Sequence, residues 1–174
     1  MGIHRLNHAV LYVRDIDRSV AFYRDLLGFR VVMARPGSAA FLQAPDSTND
    51  HDIGLFALGA GLADSSAGTS TVGLYHLGWE IGTLGELVEL AAVLDGAGAL
   101  VGATDHGTTK SLYARDPDGL EFEVAWLVPA ELLDDAAIEG RSRRGVRLDL
   151  EAEVARYGAD TRSGVGVSTP TAPV

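Results

Sequence analysis

The chain has no cysteine among its 174 residues. Disulfides and thiolate metal sites are therefore excluded, which leaves histidine and carboxylates as possible metal ligands. Positive charge is scarce: 14 Lys and Arg stand against 24 Asp and Glu, for a formal net charge of −10. That balance repels phosphate backbones, and one basic cluster stands out, "RSRRGVR" at 141–147 in the tail. Nucleic acid is not an expected partner. No run of 18 or more apolar residues is present to span a membrane. The opening "MGIHRLNHAV" has no basic region leading into an apolar one, so no secretory signal is expected and the cytoplasm is the natural compartment. P-loop, dinucleotide-binding and nucleophile-elbow motifs are all missing, so nucleotide and serine-hydrolase readings get no support. What remains is globular in composition, with 47% hydrophobic and 22% charged residues, and long enough for one well-cored domain plus an appendage.

The stretch "LNHAVLYVRD" alternates as a strand should, with His8, Val10 and Tyr12 on one face and Ala9, Leu11 and Val13 on the other. A helix is expected next, capped by Asp15 or Asp17, carrying Ile16, Val20, Tyr23 and Leu27 at helical spacing and closed by Gly28. "FRVVMARPG", "AAFLQAP" and "HDIGLFALG" read as three strands punctuated by Pro, Gly and Asp turns. "GAGLADSSAG" at 59–68 reads as a flexible linker. From Thr71 the plan repeats. "YHLGWEI" is a strand, and "TLGELVELAAVLDGAGA" is a helix whose Thr83 and Glu86 have capping-box spacing and which should end at Gly96. "ALVGAT", "KSLYARD" and "LEFEVAWL" supply three closing strands, with Asp116-Pro117-Asp118-Gly119 as the last tight turn. The two copies are offset by 68 residues, and each carries a histidine, His8 and His76, in its first strand. A histidine needed only for packing has no reason to recur in register; a metal ligand does.

Residues 129–174 depart from the repeat. "PAELLDDAAIEG" and "LDLEAEVARY" suit short helices, and "GADTRSGVGVSTPTAPV" has the composition of a disordered end. The expected organisation is one domain over 1–128, made of modules 3–60 and 71–128, and a helical C-terminal extension with a flexible tail over 129–174.

A paired strand-helix-three-strand unit with "NHAVLYV", "AFYRDLLGF", "YHLGWEI" and "RDPDGLEFEV" resembles the vicinal oxygen chelate superfamily, which includes glyoxalase I, bleomycin-resistance proteins, epimerases and extradiol ring-cleaving dioxygenases. The resemblance covers about residues 3–128. It implies an α+β fold in which paired βαβββ modules form a cupped mixed sheet around a metal site. It also implies three metal ligands, His8, His76 and Glu123. Glu121 lies on the same strand face as Glu123, so parity alone does not choose between them; family spacing chooses Glu123. Two imidazoles and a carboxylate suit Fe(II), with Mn(II) or another divalent metal as the alternative.

Glyoxalases and epimerases generally add a fourth protein ligand from the last strand of the first half, where this chain has Gly54 or Leu55. The resemblance to catechol dioxygenases extends to "NDHDIGLFALG" and "TDHGTTKSLYARDPDG", which implies acid/base roles for His51 and His106 and a substrate-bonding hydroxyl on Tyr113. The implied function is an Fe(II)-dependent extradiol dioxygenase acting on a small aromatic catechol with dioxygen, as a homodimer. The other readings are a glyoxalase- or epimerase-type metal-dependent lyase or isomerase, and a metal-free resistance protein that binds a small molecule. Trp79, Phe41, Phe56 and Phe122 are candidates for an apolar lining, though strand aromatics mostly serve packing.

Overall fold

Asp15 sits in extended backbone and its carboxylate accepts the N–H of Arg18, which starts helix α1 (Ile16–Asp25). Of the two caps open to this helix, Asp15 is the one used, and Asp17 falls in the first turn, where negative charge favours the helix dipole. Gly28 takes a positive φ of 73° and turns the chain out of the helix. The computed structural model describes residues 2–67 and 70–164. It divides into two units: residues 1–66 with 116–120, and residues 67–115 with 121–174.

In the first unit β1 (Ala9–Val13), β2 (Arg30–Arg35), β3 (Ala39–Gln43) and β4 (Ile53–Ala57) form a sheet in the order β1-β4-β3-β2. β1 runs parallel to β4 and the other pairs are antiparallel. Leu11 and Val13 of β1 are buried with Ile16 and Tyr23 of α1, Leu42 of β3 and Leu55 of β4. Val10 and Tyr12, on the opposite face of β1, are exposed. The turn at residues 116–120 joins this unit by its contacts: the Tyr23 hydroxyl donates to Asp116, and the Arg14 guanidinium pairs with Asp118 at 3.0 Å.

The second unit repeats the plan with β5 (His76–Glu80), α2 (Leu84–Gly96), β6 (Leu100–Asp105), β7 (Thr109–Arg115) and β8 (Glu121–Leu127). Thr83 and Glu86 form the capping box that their spacing predicts. One detail differs. Gly96 is the last helical residue of α2, and the left-handed position is Gly98, with φ of 67°. Both units are therefore βαβββ, and the class is α+β with two mixed sheets.

Beyond β8 come a 3-10 turn (Ala130–Leu132), α3 (Asp135–Arg141), β9 (Val146–Arg147) and α4 (Leu150–Tyr157). Within the basic cluster lies β9, a strand that the sequence pattern does not reveal; it pairs with β6 and widens the sheet to β5-β8-β7-β6-β9. The stretch 158–164, expected to belong to a disordered end, packs instead. Trp126 Nε1 donates to the Thr161 carbonyl, Ser163 Oγ donates to Glu80, and the Gly85 N–H bonds the Ala159 carbonyl. These bonds satisfy an indole and helix-start donors that burial would otherwise leave unpaired. The rest of that expected tail, 165–174, lies outside the described residues.

Strand alternation puts Lys110 on the same side of β7 as Leu112 and Ala114, and it is only 1% exposed. Its ammonium is neutralised by Asp105 at 2.6 Å and by Glu153 of α4 at 3.1 Å. A buried cation is tolerated only when paired, so the extension is tied to the sheet by charge as well as by packing. Lys110→Ala is expected to lower the unfolding free energy by about 3–5 kcal/mol in urea titration, because it strands two carboxylates in a poorly hydrated site. Glu153→Gln should cost less, since Asp105 still pairs the lysine.

Candidate active site

Residues paired across neighbouring strands share a sheet face. In the second unit Gly78, Glu123, Tyr113 and Gly102 form one such row across β5, β8, β7 and β6, and His76 and Glu121 belong to the next row. This face is the one turned away from the helices, whose side of β8 buries Phe122, Val124 and Trp126. His76 Nε2 lies 3.2 Å from Glu123 Oε2. The other oxygen of that carboxylate accepts the Tyr113 hydroxyl at 3.3 Å, and His106 Nε2 lies 2.9 Å from the same hydroxyl. Burial and the adjacent Glu123 charge push the Tyr113 pKa up to about 12, so the hydroxyl keeps its proton at neutral pH. Nδ1 of His76 is buried without a hydrogen-bond partner among the described residues.

Glu121 shares the face but is otherwise engaged. Arg115 lies 3.6 Å from it, and it accepts the Tyr75 hydroxyl, which raises the Tyr75 pKa. The carboxylate beside His76 is therefore that of Glu123.

The first unit assembles a second group. His8 lies one residue before β1, and its ring centroid is 4.6 Å from that of His51, two residues before β4. Phe41 packs edge-on against both His51 and Phe56, at 5.0 and 5.8 Å. Each histidine has one ring nitrogen tied down by a neighbour in sequence. His8 Nδ1 donates to Asn7 Oδ1 at 2.8 Å, and His51 Nδ1 bonds Asp50 Oδ2 at 2.9 Å. Nε2 is thereby left as the free nitrogen on both rings. Asn7 and Asp50 are hydrogen-bond partners of the two candidate histidines that pattern reading passed over. Their signal was an amide or carboxylate directly preceding each histidine.

The aromatic candidates divide. Phe41 and Phe56 lie on the His51 side of the first sheet, whereas Phe122 is buried in the core and Trp79 shares its face with Val124. Phe122 and Trp79 are packing residues. Of the two positions offered for a fourth ligand, Leu55 points into the core and Gly54 lies on the open side beneath Phe41 and Val10. Neither supplies a metal donor.

Among the described residues, no three His, Asp or Glu side chains are gathered as a group that would hold a metal ion. The pair that is gathered has the right chemistry for part of one. Two ligands of a single ion, each about 2.0–2.2 Å from it, lie roughly 3 Å apart when they subtend a right angle, and His76 Nε2 and Glu123 Oε2 are 3.2 Å apart. An imidazole and a carboxylate fit a divalent transition metal.

The Glyoxalase/Bleomycin resistance protein/Dioxygenase superfamily model matches residues 5–124. Biphenyl-2,3-diol 1,2-dioxygenase 3 of Rhodococcus globerulus is 36% identical over 122 residues, which are 69% of this chain and 62% of that one. Metapyrocatechase 2 of Cupriavidus necator is 28% identical over 66% of this chain and 34% of its own length. The chain thus spans 62% and 34% of the lengths of these two dioxygenases, less than two thirds of either. A probable lactoylglutathione lyase of Vibrio cholerae is 27% identical over 71% of this chain and 91% of its own. Among solved structures, a glyoxylase/bleomycin resistance protein/dioxygenase domain from Frankia sp. EAN1pec superposes with a TM-score of 0.61 at 24% identity, covering 73% of this chain and all of that one. With the family model matched over residues 5–124 of two βαβββ units, the chain belongs to the Glyoxalase/Bleomycin resistance protein/Dioxygenase superfamily.

Proposed function

We propose that this protein is an Fe(II)-dependent extradiol dioxygenase that opens the ring of a catechol-type substrate, with His8, His76 and Glu123 as metal ligands. The observation that carries the reading is the Tyr113 hydroxyl, protonated at neutral pH and bonded to the carboxylate that faces His76. Gly54 and Leu55 favour it over a four-ligand lyase, because a bidentate diolate and dioxygen need the coordination positions that a fourth protein ligand would take. The likeness to two dioxygenases supports it as well.

The reaction adds both atoms of dioxygen to the diol and breaks the ring carbon–carbon bond next to it, so that no other reductant is needed. When bound, ferrous iron supplies the electronic route between the diolate and dioxygen. The chain supplies the rest. His51, its Nδ1 held by Asp50, accepts a catechol proton at Nε2 and can return it when the ring opens. With substrate bound, Tyr113 turns its one hydroxyl proton from Glu123 to a substrate oxygen, and His106, with Nε2 2.9 Å from that hydroxyl, helps hold it in place. Phe41 and Phe56 offer an apolar surface to an aromatic ring.

The test is a screen of iron-loaded protein under air with catechol and 2,3-dihydroxybiphenyl, read as yellow ring-fission product. Product from either supports the reading. No product from any catechol, with about one equivalent of iron bound, overturns it in favour of a lyase or isomerase. Homodimerisation belongs to the same reading, since open sheet edges such as the exposed β2 invite a second copy. Light scattering at micromolar concentration should report twice the 18.3 kDa chain mass.

A further inference from the structure

The C-terminal segment 135–147 lies outside the matched residues 5–124, yet it is fastened to the turn that carries His106. Two close approaches do this. A Cβ on Gly107, which has φ of 80°, would stand 2.3 Å from the Ala137 carbonyl and 2.8 Å from the Arg141 nitrogen of α3. A Cβ on Gly145 would stand 2.4 Å from Thr104 Cγ2 and 2.8 Å from His106 Nδ1. Only glycine lets the extension come this near. The loop after α3 therefore lies against the imidazole whose other nitrogen holds Tyr113.

Register then places a cation on the same face. Arg147 of β9 pairs with Thr104, Thr104 with Ser111, and Ser111 with Ala125, so Arg147 shares the face of Tyr113 and Glu123. The charges on that face can be accounted for one by one. Glu123 has His76 and Tyr113, Glu121 has Arg115 and Tyr75, and Glu80 has Ser163. Arg147 is exposed and has no carboxylate partner among the described residues, and neither has Arg144, which precedes the glycine on His106. What sets Arg147 apart is its place: register holds this guanidinium on the site face, where it is open to an external anion, and Arg144 lies three residues away in the sequence.

We propose that Arg147, assisted by Arg144, forms a carboxylate-binding subsite at the β9 edge of the site face, so that the substrate carries an acid group at the end remote from its chelating oxygens. The inference rests on the ring-cleavage reading for what lies at the other end. Three strand spacings separate β9 from β8, about 14 Å. With a guanidinium reaching from one side and the Glu123 carboxylate from the other, one aromatic ring and a short acid arm fill the interval.

The experiment uses the full chain and ligands that cannot chelate. Isothermal titration compares 4-hydroxyphenylacetate with 4-ethylphenol, which has nearly the same shape and no charge. The acid should bind about tenfold more tightly or better, the range for a charge-assisted hydrogen-bonded pair. Raising sodium chloride to 0.5 M should weaken the acid alone. Arg147→Gln should erase the preference, while Arg147→Lys, which keeps the charge, should retain part of it.

Equal binding of the two ligands by the wild-type protein overturns the subsite even if no variant folds, and so does an undiminished preference in folded Arg147→Gln. The readout is independent of turnover. Acid preference without cleavage of any catechol would leave the subsite standing and remove the reaction; cleavage without acid preference would do the reverse.

Discussion

Glu123→Ala protein, reconstituted anaerobically with Fe(II), is expected to retain less than about a tenth of the iron held by the wild type, which should bind about one equivalent per chain. The variant removes the one carboxylate of the proposed ligand set and leaves two imidazoles, too few to compete with water for a ferrous ion. Glu121→Ala should keep its iron, because that carboxylate is engaged by Arg115 and Tyr75. His8→Ala and His76→Ala should each lose iron as Glu123→Ala does. This set also tests whether one ion draws on both units: retention of iron in His8→Ala would remove His8 from the ligand set. Retention in Glu123→Ala with loss in Glu121→Ala would show that the carboxylate was chosen one pleat away from the true one.

The second large effect concerns turnover. His51→Ala should leave iron content near that of the wild type while lowering catechol cleavage by about 10²–10⁴-fold, the range for removing a positioned acid/base group. The imidazole has its Nδ1 fixed on Asp50 and is not itself in the proposed ligand set; its one tie to that set is ring packing on His8, whose Nδ1 is held separately by Asn7. Ring-fission product and bound iron are measured on the same samples. Equal rates in variant and wild type would take His51 out of the chemistry, and parallel loss of iron and activity would make it a ligand or a support for one. Asp50→Asn provides an intermediate: it keeps an acceptor for Nδ1–H but removes the charge, so a smaller loss in kcat is expected than from His51→Ala.

Much of this arrangement was legible before any coordinates. The 68-residue repeat follows from strand and helix periodicities that each half displays in the same order, and both halves fold as βαβββ. Local hydrogen-bonding chemistry placed the Asp15 cap, the Thr83–Glu86 box and the turn at Gly28 correctly, since each depends on residues within one turn of the chain. The end of α2 was less legible. Gly96 and Gly98 are both available, and only the packing of the helix determines which of them takes the left-handed conformation. Trp79 and Phe122 were candidates for the lining because alternation names two faces without saying which one the helices cover. Packing of α2 and α4 on the Phe122 side answers that.

The C-terminal extension was the least readable part. Short amphipathic helices look alike whether solvated or docked, and a two-residue strand has no period to detect. Its attachment depends on long-range partners: a lysine of β7 neutralised from α4, an indole bonded to a carbonyl 35 residues later, and glycines that meet across the fold.

The sequence by itself determined the family, the paired modules, the histidines in register and the restriction of metal ligands to nitrogen and oxygen, because these depend on residue identity and on spacing along the chain. The tertiary structure alone decided that Leu55 is core while Gly54 lies on the open side and that the extension reaches His106; it also sets the carboxylate of Glu123, which family spacing singles out, 3.2 Å from His76 while Glu121 turns to Arg115 and Tyr75. Those outcomes turn on strand register and on contacts between distant segments, and a one-dimensional pattern fixes the parity of a strand but not its neighbours.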